Sequence, residues 1–143
     1  MKRISILLLL ILSVAANAQE AEARKAVEKF FEGFHARDTV VMRSTLAKEV
    51  ILHSVADKKT GTVLIVEDVA DFLKSMATIP ADVKFEERLL SWQVLADGTM
   101  AQVWTPYEFY VKGKLSHRGV NSFSLAKIAG AWKITYLIDT RRK

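Results

Sequence analysis

Beyond residue 80 the chain punctuates itself three times with a glycine, at Asp97-Gly98, Lys112-Gly113 and Ala129-Gly130. Asp-Gly between alternating apolar residues is a strong signal for a two-residue hairpin, because that turn needs positive φ. The segments between these turns are long and rich in β-branched and aromatic residues. Their spacing predicts four strands, over 83–95, 100–111, 115–128 and 132–140. Consecutive strands joined by short turns pair antiparallel, so this half reads as a meander. A meander of such long strands must curl, and bulges are the means. The mixed alternation of 83–95 predicts one bulge, and Pro106, lacking an N–H, marks an edge or another.

The first half is helical. Val27, Phe30, Phe31 and Phe34 fall at i, i+3, i+4 and i+7, which makes one apolar stripe on a helix over 20–35. Gly33 inside that helix costs about 1 kcal/mol against Ala and so predicts a close neighbour. Asp38 reads as the N-cap of a short second helix. A short strand over 49–55 and a polar turn over 57–61 follow. A third helix over 67–77 repeats the stripe with Val69, Phe72, Leu73 and Met76, and Pro80 closes it. Helices segregated from an antiparallel sheet make an α+β fold. The three helices can cover only the concave side of the curled sheet. The expected architecture is a cone-like curved antiparallel sheet with three N-terminal helices on its concave face and a cavity between them.

The first residues read differently. Lys2 and Arg3 precede an apolar run over 4–12, and Ala16-Asn17-Ala18 supplies small residues at a cleavage site. This is the three-part pattern of a secretory signal peptide. The run is short of the roughly 20 residues a membrane span needs. The expected division is a leader over 1–18 and one domain over 19–143, periplasmic or secreted, with no membrane association after cleavage. Cleavage takes two positive charges, and the net charge falls from +5 to +3. That is ordinary for a soluble surface and makes no case for nucleic acid, which needs a clustered basic face. The chain has no Cys, so disulfides, cysteine–zinc sites and thiol nucleophiles are excluded.

The element order, together with 27–34 (VEKFFEGF), 104–110 (WTPYEFY), 116–123 (SHRGVNSF) and the ending 132–142 (WKITYLIDTRR), resembles the nuclear transport factor 2-like superfamily. That group includes SnoaL-like cyclases and ketosteroid isomerases. The chain looks most similar to small exported bacterial members labelled lumazine-binding. The resemblance implies a cone-shaped fold and dimerisation through the convex sheet face. It does not settle function, since the fold hosts enzymes, binding proteins and interaction modules.

Period-2 alternation over 115–128 places Leu115, His117, Gly119, Asn121, Phe123 and Leu125 on one face, and Phe123 and Leu125 mark that face as buried. His117 and Asn121 are expected to point into the cone. They would orient a ligand, with His117 the candidate general acid or base. Tyr107, Phe109, Tyr136 and Trp132 are expected on the same lining, faced by Phe31 and Phe34 from the first helix. Such aromatics offer stacking surface for a flat ligand. Asp139 has the wrong parity for the inner face unless the last strand breaks near its end. It reads as an ion-pair partner of Arg141 or Arg118. Asp38 is accounted for as a cap.

His35, His53 and His117 lack metal-ligand spacing, so no metal is expected, and no cofactor motif occurs. Trp104, Glu108 and Tyr110 are expected on the convex face, where large aromatics mark an interface. A homodimer centred on Trp104 and Tyr110 follows. The leading expectation is an exported protein that binds a flat heteroaromatic molecule such as a lumazine or pterin. The alternatives are an isomerase, dehydratase or cyclase using His117, which would need a second titratable group in the cavity, and a dimeric interaction module with a filled cavity.

Overall fold

The computed structural model describes residues 2–143, with side chains from Asn17 onward. Most of the leader expected over 1–18 therefore lies outside the residues whose side chains are described. Helix α1 spans Lys2–Ala36 and α2 spans Thr39–Thr45. Strands β1 (Leu46–Lys58) and β2 (Gly61–Glu67) form a hairpin, and α3 (Val69–Thr78) follows. Then come β3 (Phe85–Leu89), β4 (Gln93–Asp97), β5 (Met100–Val111), β6 (Lys114–Ile128) and β7 (Ala131–Arg141). The chain is α+β, with three helices and one curved sheet of seven strands. Among the described residues no helix is long and apolar enough to cross a membrane.

The sheet runs β2-β1-β7-β6-β5-β3, and β4 pairs with β5 beside β3. All neighbours are antiparallel except β1 and β7, which run parallel from Ile51↔Tyr136 to Ala56↔Arg141. The sheet is thus mixed and larger than the four-stranded antiparallel meander expected. Parallel pairing joins residues some 85 positions apart, and local alternation carries no trace of it. The expected long strand over 83–95 is two strands. Both pair with β5, and the chain bends between them, where Leu90 N–H donates to the Pro106 carbonyl at 2.8 Å.

Two bulges set which way side chains point. In the β5–β6 pair the register slips at Ser116, so Phe109 faces His117 but Tyr110 faces Leu115. Leu115 therefore leaves the inner face and is exposed. In the β6–β7 pair the register slips at Thr135, so Ser124 faces Tyr136 while Leu125 faces Ile134.

The core forms where the stripe of α1 meets the sheet. Phe123 is 0% exposed and meets Phe30 and Phe31 edge-on, with centroids 6.1 and 5.9 Å away. Gly33 has its close neighbour: a Cβ there would stand 2.9 Å from the backbone nitrogen of Met42. Asp38 caps α2, accepting from the N–H groups of Val40 and Val41 at 3.0 and 2.9 Å.

Candidate functional site

A cavity of about 190 Å³ opens between α1, α3 and the concave sheet. Its deep wall is apolar, with Phe30, Phe31 and Phe34 from α1, Phe72 from α3, and Phe109 and Leu137 from the sheet. Its other wall is polar. Of the residues expected there, Phe31, Phe34, Tyr107, Phe109, His117 and Asn121 all line it. Tyr136 does not, and this corrects the expectation. The bulge at Thr135 shifts parity, so Tyr136 pairs with Ser124 on the convex side and its hydroxyl lies 3.0 Å from His53 Nδ1. Trp132, before the bulge, stays inward but is packed in the core, with Nε1 donating to Glu22 Oε2 at 3.3 Å.

The same bulge brings Asp139 inward. Asp139 is buried, and both of its oxygens are engaged. Ser54 Oγ–H donates to Oδ1. Arg141 Nε donates to Oδ2 at 3.0 Å. The Tyr107 hydroxyl lies 3.1 Å from Oδ2 and 2.8 Å from the Thr140 carbonyl oxygen, so its one hydrogen serves two acceptors. Tyr107 is 2% exposed, and its phenol is pushed upward by burial and by the charges of Asp139 and Glu87, so it stays protonated. Its ring crosses Gly119, its cross-strand neighbour. Only glycine fits there, because a Cβ would stand 1.7 Å from the Thr140 oxygen. Arg141 also reaches Glu67 at the end of β2, at 3.5 Å.

Glu87 comes from the edge strand β3. Its carboxylate Oε1 accepts from Asn121 Nδ2 at 2.7 Å. Among the described residues, no side chain donates to Oε2. Burial pushes this carboxyl up to about 7, and the charge of Asp139 adds to the shift. The Asn121 hydrogen bond and the charge of Arg141 pull the other way. Its backbone is held from outside the sheet: Glu87 N–H donates to His35 Nε2 at 3.0 Å. The second titratable group that an enzyme using His117 would need is present, since Glu87, Asp139 and His117 share one cavity.

His117 stacks on Phe109 with centroids 5.0 Å apart and meets Tyr107 edge-on at 5.9 Å. Its Nδ1 lies 3.2 Å from Ser116 Oγ. Burial and the charge of Arg141 hold it below the usual histidine value, against the pull of Asp139, so it is uncharged at neutral pH. Among the described residues no His, Asp and Glu cluster could hold a metal ion.

No family model matches the sequence, and no curated protein matches it. Solved structures do. An NTF2-like protein of unknown function from Pseudomonas putida superposes with a TM-score of 0.71, at 14% identity over 87% of each chain. The fold is NTF2-like. A candidate dehydratase of the NTF2-like family from Streptomyces avermitilis has a TM-score of 0.67 and 16% identity, over 89% of this chain and 98% of its own. A candidate ketosteroid isomerase from Shewanella frigidimarina has a TM-score of 0.59 and 16% identity, over 82% and 94%. At such identities the likeness is one of fold. The NTF2-like cone places the cavity here, and the chain's own residues decide what the cavity does.

Glu87 carried a signal in the sequence. In Phe85-Glu86-Glu87-Arg88-Leu89 it takes the inner parity between two apolar residues. A carboxylate on the apolar register of a strand is costly to bury, which marks it as a candidate functional group.

Proposed function

We propose that the cavity takes up a small flat molecule and that Glu87 exchanges a proton with it. One observation carries this reading: a carboxyl pushed up to about 7 sits in a cavity with an aromatic wall, with one oxygen engaged by Asn121 and the other free of side-chain donors among the described residues. A general acid or base works best when its pKa lies near the operating pH. Asn121 orients Glu87, Phe109 and His117 offer a stacked surface, and Asp139 supplies fixed negative charge. Size narrows the ligand. A cavity of about 150 Å³ holds benzene, so 190 Å³ suits one ring or two fused rings. A heteroaromatic such as a lumazine or pterin is in range, whereas a flavin with its side chain is larger. The chemistry would be an isomerisation or dehydration begun by proton abstraction.

Binding without turnover is the second reading, and Asp139 favours it. Its oxygens are already engaged, so Glu87 has no second open acid to pass a proton to. The open cavity speaks against an interaction module whose cavity is filled. The test is a thermal-shift panel of pteridines, flavins and cyclic ketones on the wild type and Glu87→Gln. Hydrogen–deuterium exchange is then followed on any ligand that binds. A ligand at 100 times its dissociation constant stabilises by about 2.7 kcal/mol. Exchange in the wild type and none in Glu87→Gln supports proton transfer. Binding with equal exchange in both leaves a carrier.

We further propose that the chain is exported through its leader and works as a periplasmic or secreted homodimer. The half-exposed indole of Trp104 on the convex face supports the dimer. Tyr110 contributes less free surface, since its hydroxyl donates to Glu108 and its ring lies under Arg88.

A further inference from the structure

Three carboxylates line the cavity: Glu67, Glu87 and Asp139. One guanidinium answers them, and Arg141 is already held by Asp139 at 3.0 Å and by Glu67 at 3.5 Å. Among the described residues of the lining there is no other Lys or Arg. His117 is uncharged at neutral pH, held so by burial and by Arg141. Three negative groups against one positive group leave the lining at −1 with Glu87 protonated and −2 with it ionised.

The facing wall is aromatic. Phe31, Phe34, Phe109 and Tyr107 present ring faces and edges to the same space. Ring faces are negative and attract cations, by about 2 kcal/mol or more where water is excluded. An entering anion would lose its hydration and meet a net negative lining, with the one guanidinium already engaged.

Resting on the reading of this cavity as a ligand site, we propose that its ligand is bound as a cation: an amidinium, or a weakly basic ring nitrogen that receives its proton from Glu87. In the second case the O–H bond of the Glu87 carboxylic acid breaks and an N–H bond forms on the ring. The product is a carboxylate beside a protonated heterocycle, with no other reactant. Glu87 Oε2 is the acceptor for that N–H, and the aromatic wall holds the charged ring. Carboxylate and phosphate compounds are excluded.

A matched set of one-ring probes tests this: benzamidine, benzamide and benzoate, alike in size and carrying +1, 0 and −1. Calorimetry at pH 8 should show benzamidine binding at least about tenfold more tightly than benzamide, with benzoate silent. Benzamidine stays charged down to pH 5. Its affinity should therefore fall about tenfold between pH 8 and 5 as Glu87 takes up its proton, and Glu87→Gln should remove that share of the fall, leaving only what His53 and His117 of the same lining contribute. Benzoate binding as tightly as benzamidine overturns the proposal, as does no binding by any of the three at millimolar concentration. If benzamide binds best while Glu87→Gln still stops hydrogen exchange on a turnover ligand, the cation is wrong and the proton-transfer role stands.

Discussion

Asn121 Nδ2 donates to Glu87 Oε1 over 2.7 Å, joining two strands that are not neighbours in the sheet. Between β6 and β3 lies β5, so the bond spans the concave face above the Tyr107 and Phe109 strand. It ties the edge strand's carboxyl to the centre of the sheet.

That carboxyl makes stability depend on pH in an unusual direction. Glu87 titrates at about 7 in the folded chain against 4.5 as its ordinary value. The folded state keeps a proton that the unfolded state has lost across this window. Its contribution is full below 4.5 and is lost as pH rises through 7. Gln retains an acceptor for Asn121 and removes the titration. Glu87→Gln should match the wild type near pH 4 and exceed it at pH 8 by up to ~3 kcal/mol. Melting curves of the two proteins between pH 4 and 8 measure the difference.

His35 acts on the same residue through the backbone. Its Nε2 accepts from Glu87 N–H, so this nitrogen carries no hydrogen and the ring is neutral. Burial among Phe31, Phe34 and Phe85 holds its pKa below 6.5. The charge of Glu86 pulls it upward. A lowered folded value means stability present above 6.5 and lost as pH falls below it. The exchange protection of the Glu87 amide should drop between pH 8 and pH 5. His35→Phe should show the low protection at both, as read by NMR.

Gly119 tolerates no side chain. In Gly119→Ala the new methyl meets a backbone oxygen, which cannot step aside as a flexible side chain can. The β6–β7 pair must part, and Tyr107 must leave Thr140. Urea unfolding should show a loss of about 3 kcal/mol or more. Tyr107→Phe, which removes only the hydroxyl, should cost about 1.5–3 kcal/mol, as expected for a hydrogen bond to a charged group.

The processed protein should run as a dimer by light scattering at micromolar concentration. Trp104→Glu, placing a charge on the convex face, should return it to a monomer. A monomeric wild type at that concentration removes the dimer.

Much of the cone could be read from alternation alone. Tyr107, Phe109, His117 and Asn121 sit on strands whose inner register is continuous where they lie, and period 2 places them correctly. Asp38 could be read because a cap is a local event. Asp139 and Tyr136 could not, since one extra residue at Thr135 exchanges their faces, and a bulge is set by the partner strand. Glu87 was missed because residues 83–95 read as one long strand of mixed alternation, and its inner parity with Phe85 and Leu89 stands out only once the strand is ended at the bend. The pairing of β1 with β7 belongs to tertiary structure, and it is what brings Ser54 to Asp139.

The unpaired Thr135 works as a frame marker. Upstream of it β7 spells an apolar lining with Trp132 and Ile134; downstream the same strand spells an acid and a base with Asp139 and Arg141. Were the strand to run through Thr135 without the bulge, its alternation would present Tyr136 and Ile138 to the cavity and turn Asp139 and Arg141 to solvent. The polarity of this pocket is therefore set by one bulge as much as by the order of residues along the strand.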